Sequence, residues 1–82
     1  MGIAEKIRVL LVRSGNISES ELARRLKAEG FKMTAQNFNN KMKRESFKKA
    51  ELEAIARILG ATYQEERPEP RQWFTLATGE EI

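Results

Sequence analysis

The sequence predicts a mainly α-helical fold, a bundle of short helices followed by a C-terminal β-hairpin. Three observations predict it. Apolar residues recur at helical spacing through the first part of the chain, serine, threonine and glycine punctuate those runs, and after Gly60 the composition turns to β-formers around two prolines. With 82 residues the chain is one small domain, read as a bundle over 1–60 and a β appendage over 61–82.

The first helix spans 3–13, where Ile3, Ile7, Leu10 and Leu11 form one face. Val9 and Val12 lie off that stripe, so this helix has more apolar surface than one core needs. Ser14-Gly15-Asn16 stops it. Ser18-Glu19-Ser20-Glu21 has the form of a capping box, with Ile17 and Leu22 spaced as a hydrophobic staple, and the second helix carries Leu22, Ala23 and Leu26 as its stripe. Gly30 is its natural end. Phe31-Lys32-Met33 forms a connector in which Phe31 and Met33 pack as satellite core and Lys32 is exposed or touches a phosphate.

Thr34 is the next N-cap, for a third helix over 35–44 whose large apolar residues are Phe38 and Met42, one turn apart. Gln36, Asn37, Asn39, Asn40, Lys41 and Lys43 cover the remainder. Each Asn costs about 0.5 kcal/mol in helix propensity relative to Ala, so stability does not explain them. After Phe47, the spacing of Leu52, Ile55, Ala56 and Leu59 predicts a fourth helix ended by Gly60, with Glu51 and Glu53 in its early turns, where the macrodipole favours anions. Ala61 to Gln64 and Gln72 to Leu76 read as strands, joined by a loop from Glu65 to Arg71 that contains Pro68 and Pro70. Thr78-Gly79 makes a turn before the tail Glu80-Glu81-Ile82. A lone hairpin is marginal in water, so these strands pack on the helices or pair with another chain.

Composition excludes much chemistry. The chain has no His and no Cys, and all twelve of its acidic residues are Glu. Nucleophile pairs built on His, thiolates, disulfides and the usual zinc sites are thereby absent. No spacing of the remaining Glu, Lys, Ser, Thr and Tyr marks an active site, and no cofactor, metal or small-molecule ligand is expected. The longest apolar run, Val9 to Val12, is flanked by Arg8 and Arg13 and cannot span a bilayer, and the first residues lack a secretory layout, which points to the cytoplasm.

The net charge of +3 conceals a polarised chain: residues 1–49 carry twelve Lys or Arg against five Glu, and residues 50–82 carry three Arg against seven Glu. The densest segment, 31–49, holds six cations and one Glu. Such a footprint suits a polyanion, although a solvated face has the same composition.

Glu21-Leu22-Ala23-Arg24-Arg25-Leu26, the segment Gln36-Asn37-Phe38-Asn39-Asn40-Lys41-Met42-Lys43-Arg44, and Leu52 to Gly60 reading LEAIARILG together resemble the helix-turn-helix domain of the phage repressor and Cro type (XRE-like), in particular small bacterial and phage regulators with a short C-terminal β segment. The resemblance covers about the first sixty residues well and the tail loosely. It implies four to five short helices in which the second braces the third, and the third lies in the DNA major groove. One departure is the connection between those helices, longer here by roughly a helical turn, which bears on the angle of the third helix.

The resemblance places Ala35 and Gln36 at base-facing positions, where Gln can pair with adenine and Ala can meet a thymine methyl. Asn39, Asn40 and Lys43 follow on the exposed side as further base contacts or backbone contacts, while Asn37 lies nearer the bundle. Thr34, Lys41, Arg44, Lys48 and Lys49 are assigned to phosphates; a plain cap and a solvated face are the bland alternatives. A homodimer is expected, through strand pairing or through Trp73 together with Val9 and Val12. The function expected is therefore a sequence-specific double-stranded DNA-binding transcriptional regulator, a dimeric repressor rather than an enzyme. The alternative is a protein-interaction module, an antitoxin or adaptor, on the same bundle. RNA binding has less support, since no exposed aromatic platform with basic surroundings is evident.

Overall fold

Each apolar stripe becomes a helix stopped by a glycine or a left-handed residue. The computed structural model describes residues 2–66 and 71–82. The order is α1 (Ile3–Arg13), α2 (Glu19–Ala28), α3 (Ala35–Arg44), α4 (Lys49–Ile58), β1 (Ala61–Glu66) and β2 (Arg71–Leu76). The fold is thus mainly α, with four helices followed by a two-stranded antiparallel hairpin.

The helix starts differ in how their free N–H groups are satisfied. Ser18 Oγ accepts from the Glu21 N–H at 3.0 Å, and Thr34 Oγ1 accepts from the Asn37 N–H at 3.0 Å. The expected capping box at Ser18 is only half made: the Glu21 carboxylate turns forward to Arg24 and Arg25 instead of back to the cap. Two guanidiniums at i+3 and i+4 outbid one backbone N–H for a carboxylate. At α4 the complementary half appears. Lys48 has no acceptor to offer, and the Glu51 carboxylate accepts from the Lys48 N–H at 2.8 Å.

Gly30, at φ 101°, closes α2 with the pair of bonds that a left-handed residue permits: Gly30 N–H to the Lys27 carbonyl and Phe31 N–H to the Leu26 carbonyl. This exit folds the connector back onto the bundle. Met33 is 2% exposed and belongs to the main core, a correction to the satellite role expected for it, while Phe31 packs half-buried at the edge.

The core is one cluster. Ile7 and Leu10 of α1, Leu22 and Leu26 of α2, Phe38 of α3 and Ile55 of α4 are fully buried, and Phe74 of β2 joins them. Phe47 packs its ring on Phe38 at 5.4 Å between centroids, so the segment between α3 and α4 also contributes. The hairpin is held to the helices by Tyr63 and Phe74, which face each other across the strands at 5.7 Å.

The strands run further than expected. Glu65 and Glu66 pair with Gln72 and Arg71, and the opposite charges of Glu66 and Arg71 favour that extension. The inner part of the expected loop, with Pro68 and Pro70, lies outside the described residues. The tail after Thr78-Gly79 pairs as well. Ile82 exchanges two backbone hydrogen bonds with Phe74, at 2.9 and 3.0 Å, and Thr75 bridges Glu81, so 80–82 lies along the other side of β2. Among the described residues no helix is long and apolar enough to cross a membrane.

Candidate nucleic-acid interface

Side chains on a helix advance by about 100° per residue, and Phe38 and Met42, both buried, fix the inner side of α3. Directly opposite stands Asn40. Gln36 and Lys43 flank it on one side and Arg44 and Asn37 on the other; Ala35 and Asn39 lie further round, and all of these residues are exposed. Asn37 therefore does not lie toward the bundle as expected, because its position is well over a quarter turn from the Phe38 and Met42 line.

The amides of this face are unspent. Among the described residues the side chains of Gln36, Asn37, Asn39 and Asn40 make no hydrogen bond within the chain, while the Asn37 backbone N–H is the one held by Thr34. An amide offers two donors and one acceptor in a plane, which is the pattern that base edges present in reverse. The Thr34 hydroxyl accepts from Asn37 and retains its own proton to donate, beside the first N–H groups of α3.

The cations divide into two sets. Lys43, Arg44 and Lys48 are exposed and form no ion pair among the described residues, which leaves their charge undivided. Lys41 is half-buried with its Nζ 3.3 Å from the carboxylate of Glu51, a residue only 7% exposed. Lys49 lies 3.6 Å from Glu65. On α2, Arg24 and Arg25 grip Glu21 at 2.5 and 2.9 Å, and the hydrogen bond from Arg24, then that from Arg25, lowers the Glu21 carboxyl from 4.5 to about 2. The local basic excess is thus carried by Lys43, Arg44 and Lys48 around α3, with Lys32 of the preceding connector also exposed and in no ion pair among the described residues.

One residue that sequence reasoning passed over positions this face. Glu45 follows α3 in a left-handed conformation, at φ 52°, and its carboxylate accepts from the Ala4 N–H at 2.9 Å. The start of α1 has Gly2 at its cap position, with no side chain to offer, and a Cβ there would collide with that carboxylate. Glu45 thus caps α1 from 41 residues away and ties it to the end of α3. Its negative charge sits at a helix N-terminus, where the macrodipole favours it. No local pattern announces such a contact.

The other expected contacts lie elsewhere. Val12 is 61% exposed and Val9 half-buried on α1. Trp73 faces away from the Tyr63 and Phe74 side of the hairpin, half-buried beneath the Arg71 guanidinium at 4.9 Å from the ring. Its indole Nε1 is buried without an acceptor among the described residues.

Comparison of the chain with curated proteins and with solved structures finds no match. Residues 2–63, which hold all four helices and the first part of β1, match the family described as "Domain of unknown function (DUF6471)", and the chain belongs to that family.

Proposed function

We propose that the protein is a sequence-specific double-stranded DNA-binding transcriptional regulator that inserts α3 into the major groove and acts as a dimeric repressor. The observation that carries this reading is the outward face of α3: amide side chains with no partner among the described residues, set among Lys43, Arg44 and Lys48, which have no acidic partner there either. A helix about 10–12 Å across fits a groove about 12 Å wide. Gln36 and Asn40 stand foremost for base edges, with Lys43 beside them and Ala35 and Asn39 further round. Arg44, Lys48 and Thr34 suit phosphates. Lys41 and Lys49 join them by exchanging Glu51 and Glu65 for a phosphate, which makes their part smaller.

Selection of bound sequences from a random double-stranded library tests the reading. A palindromic consensus supports both specificity and dimeric binding; no enrichment overturns it in favour of a protein-interaction module, to which the exposed Val12 and half-buried Val9 of α1 would then belong.

A further inference from the structure

The outward face of α1 is the unexplained surface of the molecule. Ile7, Leu10 and Leu11 define its inner side, and the line directly opposite runs through Glu5, Val9 and Val12 at i, i+4 and i+7. Among the described residues Val12 is the one large hydrophobic that is exposed, at 61%. Valine is also a poor choice for a solvated helix position, since its branched side chain loses rotamer freedom there. Shallow apolar grooves of about 260 and 300 Å³ run along either side of Val12, one toward Val9 and the other toward Leu11 and Ile17.

We infer that this face docks a second copy of the same chain, α1 against α1 and antiparallel, about a two-fold axis at Val9. The charges select that arrangement. Around this axis Glu5 meets Arg13 of the partner and Arg13 meets Glu5 of the partner, giving two ion pairs that flank the valines. A parallel pairing sets Glu5 against Glu5 and Arg13 against Arg13. An axis placed between Val9 and Val12 sets Glu5 level with Asn16 and leaves Arg8 and Arg13 on opposite flanks of the face, so neither Glu5 nor Arg13 gains an opposite charge. The parallel pairing brings like charges together, at a cost similar to the gain of the opposite pairs. Glu5 forms no ion pair among the described residues, and Arg13, which meets Glu80 in its own chain, has further N–H groups to offer.

The dimer is the one that the proposed regulator needs, but the surface stands on its own chemistry and is tested without DNA. Two helices of 11 residues bury less than the roughly 1,600 Å² of a standard interface, so association is weak in isolation and adjacent half-sites on DNA complete it.

Sedimentation equilibrium of the full chain, from low to high micromolar and in a Glu80→Gln background that frees Arg13, reads the inference directly. The parent should show a reversible monomer–dimer equilibrium. Glu5→Arg should weaken it about tenfold, as expected for two exposed pairs made repulsive, and Glu5→Arg with Arg13→Glu should restore it to within about threefold. Residues 5 and 13 are about 12 Å apart along one helix, so the rescue cannot arise within a chain. Val12→Lys should leave a monomer. A parent that stays monomeric at high micromolar, or a double variant as weak as Glu5→Arg, overturns the inference; circular dichroism confirms that each variant is folded. Failure here with a palindromic DNA consensus intact would place the dimer contact elsewhere and leave the DNA reading standing.

Discussion

The outward faces of α1 and α3 are the instructive pair. The helices are nearly equal in length, 11 and 10 residues, and both bury an apolar stripe in the same core. Opposite that stripe α1 presents Val9 and Val12, where α3 presents Asn40 with Gln36 and Lys43 beside it. Neither set is what a solvated helix favours, because Val and Asn both cost helix propensity relative to Ala. They depart in opposite chemical directions, one toward an apolar partner and the other toward a polar, anionic one. Inner faces specify that the chain folds; the difference between these outer faces indicates what the fold is used for.

The largest expected effect separates inside from outside on α3 itself. Phe38→Ala empties a fully buried position under α3 and should lower unfolding free energy by about 3–5 kcal/mol in a denaturant titration. Gln36→Ala, two residues away, should leave stability nearly unchanged and cost about 1–3 kcal/mol in binding to the selected DNA site, with little change on random DNA. Lys48→Ala should instead weaken all sequences alike and lower the slope of log affinity against log salt by about one. Equal losses on selected and random DNA for Gln36→Ala would remove the distinction between base-reading and phosphate-holding residues.

The brace between the two helices comes next. Glu45→Ala removes the cap from α1 and should cost about 1 kcal/mol by thermal or chemical unfolding. Smaller still, and of opposite sign, are substitutions on the outer faces. Asn40→Ala and Val12→Ala should each raise stability by about 0.5 kcal/mol through helix propensity, while the first weakens DNA binding and the second weakens self-association. A loss of stability in either would mean that the residue serves the fold.

The smallest effect is in pH. The Arg24 and Arg25 hydrogen bonds hold Glu21 at about 2, below its ordinary 4.5. Their contribution is present in full above the unfolded value and is lost as pH falls from about 4.5 through about 2. Stability measured over that window should fall less in Glu21→Gln than in the parent, and added salt should narrow the gap because the groups are exposed.

What was legible in the sequence was local. Ser18, Thr34, Gly30 and Gly60 mark helix ends through bonds to near neighbours, and the apolar spacing of α3 gave its inner side correctly, hence also Gln36 and Asn40 on its outer side, though not Asn37. What was not legible depended on residues far apart or on competition. The carboxylate of Glu45 reaches Ala4, Lys41 reaches Glu51 across a chain reversal, and three tail residues too few to show any period pair with β2. At Glu21 two readings of one carboxylate were available, and the nearby pair of arginines decided between them. These contacts sort the cations of the basic segment into spent and unspent, which their count alone does not.

Trp73 has an optical consequence. It is the only tryptophan of the chain, half-buried under a guanidinium on a strand that pairs with β1 and packs on α1. Its fluorescence therefore reports whether the hairpin is docked, since Phe74 beside it is fully buried against the helices. Emission should shift to the red when the fold opens and stay constant while α3 takes up DNA, giving an intrinsic signal, free of any label, that separates binding from unfolding in one cuvette.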